Sequence, residues 1–212
     1  MRYGIKIFFF VIGLCIFSYG IALAIQVKYL GVSPWDVLNI ALFDKFGLTI
    51  GTWNIIVGLV LISITLKVNR KYINVGTFLN AVLVGVLVDT FLYFELLPSS
   101  SSLPFDVLIL FMGIVLMGIG GGMYSAAGIG AGPRDGFMLS ISEKTGISIS
   151  RVRIMMECLV LLIGLLIGGP VFIFTFIYTF IQSPIFQRSF HFCSRWIDNL
   201  IGNFEDKKKA AS

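Results

Sequence analysis

The chain has 212 residues, 57% of them hydrophobic and only 13% charged, with a mean hydropathy of +0.95. Soluble domains carry about 45–50% apolar and about 25% charged residues, so the composition excludes an ordinary soluble domain and points to a polytopic membrane protein. The formal charge of +5 is then a report on topology, not an affinity for nucleic acid.

Behind Arg2 and Lys6 an apolar run extends to about Val27. Ala22-Leu23-Ala24 resembles a signal-peptide cleavage site. The run nevertheless belongs to a repeat, because Ile12-Gly13 and Gly20 return as Met112-Gly113 and Gly120. It is the first expected span.

Next comes Gly31-Val32-Ser33-Pro34-Trp35-Asp36, which returns 99 residues later as Gly130-Ala131-Gly132-Pro133-Arg134-Asp135. Ser33, Pro34 and Asp36 suit an N-cap, a first helical position and the acid of a capping box. The spacing predicts short helices over 34–46 and 133–145, each stopped by a glycine, Gly47 or Gly146. They are too short to span a bilayer and too apolar for water, so they are expected to be interfacial or re-entrant.

Further spans are expected over about 48–66, 73–97, 103–127, 152–167 and 171–187, with the uncharged, serine-rich stretch 98–104 as linker. The fourth run is rich in glycine, which favours close helix packing. After Gln187, the residues Phe190, Cys193, Ile197, Leu200, Ile201 and Phe204 fall at helical spacing beside Arg188, Arg195 and Trp196. Residues 188–212 are therefore expected to form an interfacial amphipathic helix with a solvated Lys207-Lys208-Lys209 tail. The expected organisation is a first membrane repeat over 1–97, the linker, and a second repeat over 105–187. Cys15, Cys158 and Cys193 suggest neither a disulfide framework nor a metal cluster.

With both termini inside, only Lys28 and Lys45 of the 16 Lys and Arg residues fall outside. Three spans per half is an odd number, so the second half is expected to insert upside down. The fold class is then all-α, with six transmembrane helices in two inverted repeats, an arrangement recurrent among transporters.

The glycine-rich helix, the Gly-x-x-Pro-x-Asp motif (Gly31, Pro34, Asp36; Gly130, Pro133, Asp135) and the stretches Gly47-Leu48-Thr49-Ile50 and Gly146-Ile147-Ser148-Ile149 resemble the YczE/YitT-like family of bacterial integral membrane proteins. The resemblance covers nearly the whole chain except the tail. It implies a multi-pass protein of the bacterial inner membrane, and transport has been suggested for such proteins from architecture. One departure is Phe174 before Thr175, where the first half has Gly76-Thr77.

Four acids stand out. Asp36 and Asp135 either cap their own helices or converge, with Asn39 beside Asp36, on a cation or polar substrate. Glu157 lies one turn from Arg153, which permits an i,i+4 pair. Asp89 has no basic residue within a turn, so it is expected to be protonated, paired across helices or facing water. Arg134 is expected to pair with an acid. Gly31, Ser33, Pro34, Gly130, Gly132 and Pro133 are read as structural parts of the motifs. No nucleotide-binding, metal-ligand or nucleophile arrangement is seen, so no enzyme, cofactor or metal is expected. The expected function is a transporter or permease, ion-coupled or for a small molecule, with the lipid bilayer as partner and a homo-oligomer allowed. The alternative is a non-transporting membrane accessory or assembly protein.

Overall fold

In hydrocarbon a backbone amide has no water to bond, so a chain of this composition must satisfy its amides within helices. The computed structural model describes residues 2–98 and 102–210, apart from the side chains of Ser150, Thr179 and residues 203–210. Ser99–Ser101 of the expected linker and the lysine side chains of the tail lie outside that description. Every regular element among the described residues is helical. They are α1 (Arg2–Gln26), α2 (Pro34–Phe46), α3 (Ile50–Val68), a 3-10 turn (Arg70–Tyr72), α4 (Val75–Tyr93), α5 (Leu103–Ala126), α6 (Pro133–Thr145), α7 (Ile149–Ile167) and α8 (Ile173–Ala210).

Four of these, α1, α3, α4 and α5, are long and apolar enough to cross a membrane. At about 1.5 Å per residue, α1 is ~37 Å long and exceeds the ~30 Å hydrocarbon core. Helix α7 is as long as α3 but carries Arg151, Arg153 and Glu157. Helices α2 and α6 have 13 residues each, about 20 Å.

The centre of the molecule is the crossing of α1 and α5. A Cβ placed on Gly20 would lie 2.7 Å from Gly113 O, and one on Gly13 would lie 3.0 Å from Gly120 O. Glycine is required there because the obstacle is backbone, which cannot rotate aside. Pairing Gly13 with Gly120 and Gly20 with Gly113 sets the two helices antiparallel. Leu14, Leu23, Leu110, Ile114 and Met117 close around the crossing, each 0–1% exposed.

The other elements surround this crossing. Helix α4 packs on α1 and α8 on α5, while α2 lies on α7 and α6 on α3. The motif loops dock similarly. Gly31, at φ +127°, sits against Thr175 N at the start of α8, and Gly130 sits against Thr77 N at the start of α4. The change from Gly76 to Phe174 leaves this docking intact, because backbone makes the contact.

Two expectations need correction. No break separates a sixth span from an interfacial tail: α8 runs unbroken for 38 residues with Pro184 inside it. Its stripe Cys193, Ile197 and Ile201 joins the same buried cluster as Phe9 and Phe10 of α1. The groove between α1 and α5 is an apolar partner already in place, so the stripe is buried by protein. Asp89 is likewise not at the middle of a span. It lies near the C-terminal end of α4 and accepts hydrogen bonds from Gly51 N at 2.8 Å and from Thr49 Oγ1. It caps the exposed amides of α3 from a neighbouring helix. Glycines make the approach possible, since a Cβ on Gly85 would collide with Ile55 and with Gly51 O.

Candidate functional site

The N-terminal ends of α2 and α6 are brought together from opposite halves of the chain. Ser33 is the N-cap of α2, with Pro34 at N1. Asp36 N donates to Ser33 Oγ at 3.3 Å, and Ser33 Oγ donates to Asp36 Oδ2 at 2.5 Å. Asp36 is 1% exposed and its carboxylate is engaged in this local cap. In α6 the N-cap is Gly132, which has no hydroxyl, so Asp135 is free to turn elsewhere. It meets Arg153 of α7, with Nη2 3.4 Å from Oδ1 and both side chains about a third exposed. Arg153 therefore reaches across helices to Asp135.

Arg134 lies among the acids Asp36, Asp135 and Glu157 and also meets groups the sequence did not point to. Its Cζ lies 4.7 Å from the centroid of the Trp35 ring, and its Nη2 donates to Asn54 Oδ1 at 2.8 Å. Asn39, 1% exposed, sends Nδ2 to within 3.4 Å of the same Asn54 oxygen. A cation over an indole face is worth about 0.5–2 kcal/mol, more when water is excluded. The stack bridges α6 to α2, and the Asn54 bond adds α3.

Beside this bridge is a cavity of about 120 Å³, whose wall includes Trp35, Asn54, Asn80, Tyr124, Arg134, Asp135, Arg153, Glu157 and Gln182. A water occupies about 30 Å³, so the space suits a few waters or one small polar molecule. Gly132 supports one side. A Cβ there would lie 3.3–3.5 Å from Tyr124 OH, Asp135 Oδ2 and Asn80 Oδ1, so three polar groups gather around a residue without a side chain. Asn80 is 5% exposed, and its Nδ2 has no hydrogen-bond partner among the described protein atoms. An unmet buried amide donor costs about 1–3 kcal/mol, and a polar occupant would satisfy it.

A second, wider cavity of about 360 Å³ adjoins the first; its wall includes Asn74, Gly130, Ile149 and Phe190. Asp135, Arg153, Met138 and Phe186 belong to both walls. The Asp135–Arg153 ion pair therefore stands in the partition between the two spaces.

Of the expected site residues, Asp135 and Glu157 line the inner cavity together with Arg134, Arg153, Gly132 and Pro133. Asp36 and Asn39 lie behind its wall, and Gly31 and Gly130 are docking points of the loops. Asp89 belongs to the α3 cap, away from this cavity. The sequence reading overlooked Trp35, Asn54, Asn80, Tyr124 and Gln182. The available signal was an amide within an apolar run, as at Asn54, Asn80 and Gln182, which costs free energy for the same reason a charge does.

Taken together, the apolar helices and the two short helices that meet beside a polar cavity define a helical, multi-pass membrane protein. The chain belongs to the family of unknown function DUF6198, whose profile matches residues 4–192. It is 42% identical to the uncharacterized membrane protein YczE of Bacillus subtilis (strain 168) over 163 residues, 77% of this chain and 75% of that one. It is 29% identical to the uncharacterized protein YyaS of the same organism, over 78% of this chain and 83% of that one. An uncharacterized protein of Haemophilus influenzae is 30% identical, over 67% of this chain and 64% of its own. No solved structure matches.

Proposed function

We propose that the protein is a transporter of the bacterial inner membrane for a small polar solute, ion-coupled or gradient-driven, and not an enzyme. Six spans are assigned, α1, α3, α4, α5, α7 and the first part of α8, as two inverted repeats with both termini in the cytoplasm. The two-fold reading is supported by reciprocity. Gly13 and Gly20 of α1 meet Gly120 and Gly113 of α5, which are each other's repeat equivalents. Gly31 docks on the start of α8, and its counterpart Gly130 docks on the start of α4. Such self-matching contacts are the signature of a two-fold relation.

The observation that carries the function is the polar inner cavity with a partition. An inner space lined by paired charges and an unmet amide is divided from a wider space by the Asp135–Arg153 pair. Elsewhere between α8 and α5, Tyr178 is 0% exposed and donates its hydroxyl to Met117 Sδ at 2.6 Å. In this reading the cycle opens one wall and closes the other, as rocking of one repeat against its mate would do. The accessory-protein reading draws on Asp36 and Asp89, whose carboxylates serve helix caps, but it gives the inner cavity no role.

Uptake into proteoliposomes of purified protein, across a panel of small labelled metabolites under imposed ion gradients, tests the proposal. A saturable, gradient-dependent signal that Asp135→Asn abolishes at equal protein content is expected. Uptake equal to empty liposomes across the panel would favour the accessory role.

A further inference from the structure

Gly122 of α5 lies against Ser189 and Phe190 of α8, and α5 ends at Ala126, one turn further on. At equal rise per residue, α8 passes the end of α5 near residue 193. The segment around Phe192, Arg195 and Trp196 is therefore at the depth where span ends meet the headgroup layer.

While Cys193, Ile197 and Ile201 face inward, Arg188, His191 and Arg195 share the opposite face. Phe192 and Trp196 stand among them, 67% and 51% exposed, with Asp198 at the edge of the stripe. These side chains form an exposed cationic and aromatic strip along the outer face of α8. A separate apolar groove of about 560 Å³ runs beside it, formed by Ile5 and Phe8 of α1, Met123 of α5 and Leu200 of α8. Trp196 lines both. The outer strip is cationic and the adjacent groove is hydrocarbon-like, and a single indole joins them at the interface, where tryptophan concentrates.

We propose that this strip and the adjoining groove together bind one anionic phospholipid, its phosphate between Arg188 and Arg195 and an acyl chain along the α1–α5–α8 groove. Charge complementarity selects the anionic headgroup, because basic pockets beside spans hold acidic lipids. Arg188 is one turn deeper than Phe192 and reaches the headgroup layer by extending its stem. The apolar groove selects a lipid over a free anion. Transport by the protein is not required for this site.

The test is a native mass-spectrometry titration of the full chain in detergent with POPG, POPC, dihexanoyl-phosphatidylglycerol and inorganic phosphate. One POPG is expected to bind in preference to POPC, with the short-chain lipid weaker and phosphate unable to displace POPG. Arg188→Gln with Arg195→Gln should weaken POPG about thirtyfold, from two basic contacts, and leave POPC unchanged. Arg70→Gln, a basic residue elsewhere, should have no effect. Equal binding of POPG and POPC, or wild-type affinity in the double variant, would overturn the proposal. So would displacement of POPG by phosphate, or short-chain binding as tight as POPG.

Discussion

Arg134 stacks on Trp35 at 4.7 Å, and the two residues occupy the same place in the two copies of the motif. One position of the repeat has become a cation and its counterpart the aromatic face that receives it. Two arginines at this position would repel, so the cation needs a partner of a different kind. The divergence at this position fits the stack.

The stack and the Asn54 bond predict coupled energetics. Arg134→Gln and Trp35→Leu should each lower thermal stability in detergent, and their double-mutant cycle should give about 0.5–2 kcal/mol of coupling. Arg134→Lys should recover only part of the loss, because an ammonium lacks the planar fork. A coupling energy near zero would show that the stack does not hold α2 to α6.

The partition predicts altered solvent access. With native cysteines removed, Ser183→Cys on the inner cavity wall should react slowly with a water-soluble maleimide. Adding Asp135→Asn or Arg153→Gln should speed that reaction several-fold, since breaking the ion pair opens the partition. An unchanged rate in both variants would remove the gate from the mechanism.

The α1–α5 crossing predicts a sharp contrast between glycines. Gly20→Ala places a Cβ 2.7 Å from Gly113 O and 2.8 Å from Met117 N, whereas one at Gly4 meets nothing within 4 Å. Gly20→Ala should cost about 1–3 kcal/mol or more, as overpacking does, and Gly4→Ala should be neutral. Monodispersity and melting temperature of fluorescent-protein fusions would show it. Equal melting of the two variants would mean that the crossing is looser than described.

Asp89 predicts a cap and not a coupling group. Asp89→Ala removes the acceptor for Gly51 N and should destabilise by about 0.5–2 kcal/mol. Asp89→Asn keeps one oxygen for that amide and should retain most of the stability, with function per molecule unchanged. An Asn variant at normal membrane level that loses uptake would restore the coupling role expected from sequence.

A pH effect is predicted at the far end of α6. Glu143 accepts from Asn69 Nδ2 at 2.8 Å and from Lys71 Nζ at 3.2 Å. Hydrogen bonding from Tyr72 and then Lys71 holds its carboxyl below the ordinary glutamate range. A depressed acid stabilises fully above its unfolded value and loses that contribution as pH falls through the folded value. A spin label at Arg70→Cys, with the native cysteines replaced, should be restrained at neutral pH and released only in acid below the usual glutamate titration. In Glu143→Gln it should be mobile throughout. Release at mid-range pH in the wild type would contradict the sign.

The sequence alone determined what its local chemistry controls. Hydropathy settles the membrane class, since no soluble core needs so many apolar residues. Pro34, Pro133, Gly47 and Gly146 carry the ends of the short helices within a turn of themselves, and the 99-residue repeat is visible without coordinates. Only tertiary structure decided which groups meet. Asp89 became a cap because Gly51 and Gly85 let α3 and α4 touch, Asp135 found Arg153 because Gly132 could not cap it, and α8 stayed one helix because α1 and α5 already offered its stripe a groove. Contacts across helices depend on the relative placement of distant segments, and periodicity along a chain records the face of a helix but not its neighbour.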